Sequence, residues 1–283
     1  MPDLLPIPQA RSDSQLVEIW LHGRPPHTQR AYAADIARLA AVLGRPFAAI
    51  TLADLQDFAD SLGGLAPASR YRVLSAVKSL FAFGHRIGYL AFDVGRALRL
   101  PPVRTRLAER ILPESDVHRL LACETNRRNR AVLLLLYASG IRVSELCDLC
   151  WRDFQPNGDG AQITVFGKGG QTRSVQLPPP VAVALAGLRE GAPDDAPIFR
   201  SRKGGRALHP AAVHRLVRNA AQRADIGLAV SPHWLRHAHA SHALDRGAPI
   251  HLVQATLGHA SITTTGRYLH ARPKESSSRY LGL

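Results

Sequence analysis

The chain has 283 residues, 46% of them hydrophobic, which allows one large or two ordinary domains, each with its own core. Lys plus Arg number 36 against 22 Asp plus Glu, a net charge of +14 that favours a polyanionic partner, although solubility alone accounts for part of it. Three cysteines exclude a disulfide framework, and the lack of a signal peptide or of an apolar span near 18 residues predicts a soluble, cytoplasmic protein with no membrane association.

The basic surplus is +5 over residues 1–106 (13 basic, 8 acidic) and +9 over residues 107–283 (23 basic, 14 acidic), so neither half is a mere basic tail. Residues 1–10 are Pro-rich and read as a loose arm. A short helix is predicted from Ser14 to Leu21, stopped by the Gly-Arg-Pro-Pro of residues 23–26. From Thr28, apolar side chains at Tyr32, Ile36, Leu39 and Leu43 recur at helical spacing. Thr51 reads as the N-cap of a helix burying Leu52, Leu55, Phe58 and Leu62. Pro67 opens a longer helix with Tyr71, Leu74, Val77, Leu80 and Phe81 as its apolar face; Arg70, Arg72 and Lys78 lie elsewhere around it, as a candidate DNA-backbone surface or a solvated face. No strand is needed before residue 100. The first unit, residues 1–98, is therefore an all-helical bundle of four or five helices. Residues 99–108, RLPPVRTRLA, read as an exposed basic linker.

The second unit, residues 109–283, is predicted to be mainly helical with a small antiparallel sheet. Helices are expected at Pro113–Cys123 and Arg130–Ala138, the latter broken by Ser139-Gly140. Ile141 to Glu145 open a helix ending near Cys150, and Cys147-x-x-Cys150 falls inside it without a second ligand pair, so small buried side chains are favoured over a metal site. After Asn157-Gly158, Ile163-Val165-Phe166 and Arg173-Val175-Leu177 read as strands around the glycine-rich turn that carries Lys168. Helices return at 181–189 and, after the basic loop Arg200 to Arg206, at 211–223, where Arg215 and Arg218 are candidate groove-facing residues.

Residues 231–269, SPHWLRHAHASHALDRGAPIHLVQATLGHASITTTGRYL, carry the densest chemistry. Ser231 and Pro232 suit an N-cap and first helical position, which puts His233 and Arg236 on one helix face, with Leu235, Ala238 and Leu244 on the other. Gly247 ends that helix, Ile250 to Leu257 form the next, Gly258 ends it, and Ser261 caps a last turn leading to Tyr268. Two imidazoles, a guanidinium and a phenol on helix ends suit an oxyanion, for which a phosphate diester is the obvious candidate.

H-x-x-R-H, then L-G-H-x-S-I-x-T-T, then a tyrosine nine residues past the second histidine resembles the C-terminal signature of tyrosine recombinases and phage-type integrases, the Xer-like branch especially. The resemblance implies an N-terminal core-binding domain and a C-terminal catalytic domain closing on duplex DNA as a clamp. It assigns catalysis to Arg142, in a G-x-R-x-S-E-L context, Lys168, His233, Arg236, His259 and Tyr268, and implies neither cofactor nor metal. Arg142 and Arg236 would grip the diester oxygens in place of a divalent metal. Tyr268 would attack phosphorus to leave a 3′-phosphotyrosine, with His233 as general base, Lys168 protonating the departing 5′ oxygen and His259 donating to a nonbridging oxygen. Glu145 would orient Arg142, His237 would buttress Arg236, and Thr263 to Thr265 would serve as caps or phosphate contacts. His237, His239, His242 and His251 could suggest a metal cluster, but with no acidic partner they read as packing or surface residues. The expected assembly is a monomer in solution and a tetramer on two specific DNA sites, with a second recombinase as a possible partner and residues 276–283 as a tail that reaches a neighbour, docks on its own chain or stays disordered. Two alternatives stay open: strand cutting and resealing of the type IB topoisomerase kind, and a catalytically idle architectural DNA binder.

Overall fold

Prolines and small polar caps set the helix starts in the N-terminal unit, residues 1–105 of the computed structural model, which describes residues 9–102, 107–167, 170–202 and 204–271. Ser12, not Ser14, caps α1 (Asp13–Leu21) by accepting from the Gln15 amide. Pro26 occupies the first turn of α2 (Pro26–Leu43), so the proline pair that closes the first helix also opens the second. Thr51 and Asp54 form a reciprocal capping box at the start of α3 (Leu52–Ser61), and α4 (Pro67–Arg86) again begins on proline. Leu16, Trp20, Leu39, Leu55, Phe58, Leu74, Leu80 and Phe81 fill the core between these four helices. Tyr71 is 41% exposed, outside the apolar face assigned to it, because α4 buries the stripe Val73–Leu74–Val77–Leu80–Phe81 instead.

The basic side chains of α4 are largely committed inside the unit. Lys78 Nζ donates to the carbonyls of Gly95 at 2.7 Å, Arg96 at 3.0 Å and Leu98 at 2.5 Å, which accounts for all three ammonium hydrogens and pins the segment after α4. Arg72 pairs with the buried Asp35, and Arg70 meets Asp60 at 3.5 Å. Lys78 is thus a structural tie rather than a phosphate contact.

In the second unit, residues 106–283, α5 (Glu114–Ala122) and α6 (Arg127–Ser139) precede a short α7 (Val143–Asp148). Asn126 caps α6, several residues before the expected start. Cys150 falls outside α7, in a bridge to Pro197, so the two cysteines do not share a helix. A three-stranded antiparallel sheet follows, ordered β1 (Phe154–Asn157), β2 (Gly160–Phe166), β3 (Thr172–Leu177). The first strand was not anticipated: Asn157 pairs with Gly160 around a two-residue loop, and Gly158 at φ 60° supplies the left-handed position that this hairpin needs. Ala161, Ile163 and Val165 alternate inward from β2 and pack with Val175 and Leu177 of β3.

Helix α8 (Pro179–Ala186) starts on its proline pair, α9 (Pro210–Arg223) buries Val213 and Val217, and α10 (Pro232–Asp245) runs beside α6. Ser231 occupies the N-cap position of α10 without a side-chain cap bond. Helix α11 (Ile250–Leu257) ends on Gly258 in the left-handed region, and α12 (Ile262–Ala271) is a ten-residue helix rather than a single turn. Among the described residues, no helix is long and apolar enough to cross a membrane. The expectations placed on residues 1–8, residues 103–106 of the linker, Lys168 with Gly169, Lys203 of the basic loop and the tail beyond residue 271 lie outside the described residues.

Candidate active site

Two helices end on glycine where the site is built. Gly140 (φ 60°) closes α6 and Gly258 (φ 63°) closes α11, each leaving helix-terminal carbonyls without an intrahelical donor. Guanidiniums satisfy them. Arg236, 5% exposed on α10, donates from Nη1 to the Gly140 carbonyl and from Nη2 to the Leu257 carbonyl at 2.7 Å. Arg142, at the N-cap of α7, donates from Nη2 to the Gly258 carbonyl at 3.2 Å. The two proposed anion-binding arginines therefore converge on the C-terminal, electronegative end of one helix. A side chain at position 140 would force Leu257 and His239 to shift, since a Cβ there would lie 2.6 Å from Leu257 Cδ2 and 2.8 Å from His239 Cδ2.

Glu145 orients Arg142 twice, accepting from its backbone N at 2.7 Å and from Nη1 at 2.8 Å. Arg173 of β3 then holds Glu145 from the other side and reaches the Thr256 carbonyl at 2.8 Å through Nε. Burial pushes the Glu145 carboxyl up, but the hydrogen bonds from Arg173 and Arg142 more than offset it and hold the group at about 2. Arg173 falls in a predicted strand, and its tie to Glu145 is a long-range contact that no local pattern encodes.

Burial and the neighbouring Arg142 lower Arg236 to about 10. His259 follows Gly258 directly, its Nδ1 hydrogen-bonded across 2.9 Å to the hydroxyl of the buried Thr265. Burial, then the Arg236 and Arg142 charges, bring its imidazole down to about 4. His233 is exposed at the start of α10, yet the protein around it and the charge of Arg236 lower it too. Arg142 and His259 line a cleft of ≈ 800 Å³ between α11 and the β2–β3 hairpin, with Gly167, Thr172, Arg173 and Gln254.

Tyr268 is 6% exposed, packed among Ile111, Ala240, Val253 and Leu257, and its hydroxyl lies 2.8 Å from His237 Nδ1. Burial raises the phenol while the Arg236 charge works against that rise. His237 thus meets Tyr268 rather than buttressing Arg236. His239 donates Nδ1–H to the Tyr137 carbonyl at 2.8 Å, and His242 is hydrogen-bonded to the Tyr137 hydroxyl at 3.0 Å. Of the three threonines, Thr263 and Thr264 are exposed and Thr265 is buried against His259.

Residues 110–275 match the Phage integrase family, and residues 19–88 match the Phage integrase, N-terminal SAM-like domain. The chain belongs to the tyrosine recombinase, or phage integrase, family, on its Xer-like branch. It is 36% identical over 256 residues to the tyrosine recombinase XerC of Xanthomonas campestris pv. campestris (strain B100), an alignment spanning 86% of this chain and 78% of that protein. Among solved structures it shares the fold of the XerH site-specific recombinase bound to its difH substrate in a pre-cleavage complex, with a TM-score of 0.73 and 22% identity over 97% of this chain and 85% of that one. It also shares the fold of a lambda integrase tetramer bound to a Holliday junction, with a TM-score of 0.74 and 18% identity over 95% and 80% of the two chains.

Proposed function

We propose that this chain is a site-specific recombinase that cleaves and rejoins duplex DNA through a 3′-phosphotyrosine, as an Xer-like or mobile-element enzyme. Tyr268 is the nucleophile. Arg142 and Arg236 hold the nonbridging oxygens as charge builds on them, a role for which fixed, planar guanidiniums suit a singly charged diester. His259 donates to the same phosphate, His233 assists proton removal from the phenol, and Lys168 protonates the departing 5′ oxygen. The covalent ester conserves the energy of the broken bond, so a second 5′-hydroxyl can attack it without a high-energy cofactor or a metal.

One observation carries the reading: Arg142 and Arg236 meet at the C-terminal carbonyls of α11, and His237, the next residue after Arg236, is hydrogen-bonded to the Tyr268 hydroxyl. The DNA-bound XerH and the lambda integrase tetramer on a Holliday junction support a duplex partner and a four-protomer assembly on DNA. The proposed assembly joins two sites, and the proposed free form is a cytoplasmic monomer. The net charge of +14 supports binding mostly through phosphates, with affinity falling as salt rises.

The test uses genomic fragments of the native organism retained by the Tyr268→Phe protein, rebuilt as nicked duplexes and incubated with chelator. Wild type should form a covalent adduct and Tyr268→Phe none, while both bind. Binding without any wild-type adduct would instead make the chain an architectural DNA binder. Adducts that relax supercoils but never join two sites would make it a topoisomerase-like enzyme.

A further inference from the structure

Among the described residues, the phenol that the proposed reaction needs is hydrogen-bonded to a side chain that the proposed reaction does not use. Its hydroxyl lies 2.8 Å from His237 Nδ1, and the two rings stand 5.7 Å apart at 48°, so the contact is a directed hydrogen bond and not a stack. The contact joins α10 to α12 across thirty-one positions of sequence. His237 is one residue past Arg236 and four past His233, so one rigid helix carries an anion-binding guanidinium, an exposed imidazole and the partner of the nucleophile.

We propose that His237 is a positioning residue for the nucleophile: its Nδ1 accepts the Tyr268 hydroxyl hydrogen bond and fixes the phenol oxygen relative to Arg236. The inference rests on the strand-transfer reading and names a residue that the reading does not use. A phenol is the better donor of the pair and an imidazole nitrogen the better acceptor, which selects the tautomer with the hydrogen on Nε2. His237 does not carry the proton away. Burial, then the neighbouring charges of His233, Arg110 and Arg236, bring it to about 4, so it stays neutral while facing a phenol that burial makes a weaker acid. An acceptor so weakly basic orients the hydroxyl and leaves proton removal to other groups. Holding the oxygen is enough to matter, because a nucleophile displaced by about 1 Å can lose about a hundredfold in rate.

Asparagine separates this role from others, since its amide places a polar atom near where Nδ1 sits and cannot take up a proton, whereas glutamine places one nearer Nε2. Two measurements are made on the full chain. The first needs no DNA: with tyrosine labelled by carbon-13 at Cζ, the Tyr268 resonance is identified by its loss in Tyr268→Phe. It should move in His237→Leu and His237→Gln and return close to its wild-type position in His237→Asn. An unmoved resonance in His237→Leu would overturn the proposal, whatever the DNA chemistry turns out to be. The second is the rate of adduct formation on the nicked duplexes. It should fall about a hundredfold in His237→Leu and His237→Gln and recover to within about threefold in His237→Asn, with DNA affinity unchanged throughout. If His237→Asn forms adduct as slowly as His237→Leu although its Tyr268 resonance is restored, His237 removes the proton and the positioning role is wrong. If wild type itself forms no adduct, the strand-transfer reading fails, while the resonance result still decides the contact.

Discussion

Arg173 grips Glu145 with both terminal nitrogens of its guanidinium, at 3.0 Å and 2.7 Å, and Glu145 is 4% exposed. The same carboxylate holds Arg142, so one buried charge ties β3 to the N-terminus of α7 and to a proposed catalytic arginine. Breaking such a buried group from one side leaves charges without compensation. Glu145→Gln is expected to lose about 3 kcal/mol of stability and to slow adduct formation about a hundredfold, because the amide keeps one neutral acceptor oxygen and leaves the charges of Arg142 and Arg173 uncompensated. Urea unfolding and the nicked-duplex assay read the two effects. An unchanged unfolding midpoint would mean that the network contributes no stability.

How much of this was legible from sequence depended on how local each signal was. Gly140 and Gly258 announced themselves as helix ends because left-handed caps select glycine, and those two ends carry the arginine anchors. β1 hid because Phe154-Gln-Pro-Asn has no alternation and contains a proline, which is tolerated here because the strand lies at the sheet edge. What the sequence hid were pairings of distant segments. Arg173 finds Glu145 only once β3 lies beside α7, and His237 finds Tyr268 only once α12 packs on α10. Lys78 misled for the opposite reason: a basic residue on a helix reads as a free charge until its carbonyl partners after α4 are known.

Arg236 has a structural task as well as the proposed electrostatic one. Its two terminal nitrogens bridge the ends of α6 and α11, and an ammonium at the tip of lysine cannot reproduce that fork. Arg236→Lys should cost about 1–3 kcal/mol in stability by leaving one buried carbonyl unpaired. Adduct formation should fall by about a hundredfold or more while DNA affinity changes little. Cleavage within a few-fold of wild type in a timed assay would sink the transition-state role.

The fully buried Thr265 fixes His259 from within α12, the helix that also bears Tyr268. Thr265→Val keeps the shape and removes the hydroxyl, leaving Nδ1 of His259 without this partner. A loss of about 1 kcal/mol and a cleavage rate about tenfold lower are expected, with Thr265→Ser close to wild type in both. Equal rates for the valine and serine proteins would show that the hydroxyl does not orient the imidazole.

Acid should weaken the fold in two overlapping stages, because the site combines imidazoles kept neutral with a carboxyl kept charged. Burial, chiefly, lowers His237, His239 and His259 from the ordinary 6.5 to about 4. As pH falls below 6.5 the unfolded chain takes up protons that these folded imidazoles refuse, so stability declines until about pH 4. Glu145 acts lower down. Its carboxyl sits at about 2 in the fold against an ordinary 4.5, so its stabilisation is complete above 4.5 and disappears as pH drops from there toward 2. That difference corresponds to about 3 kcal/mol, undiminished by solvent because the side chain is buried. Thermal melts from about pH 8 down to about pH 3 should therefore fall most steeply between 6.5 and about 4, where three imidazoles contribute, and less steeply below that, where Glu145 contributes alone. Glu145→Gln should flatten the lower stage and leave the upper one in place. A wild-type Tm that is level between pH 6.5 and 4.5 would mean that the buried imidazoles titrate normally, and an unaltered lower stage in Glu145→Gln would move the acid-labile group elsewhere.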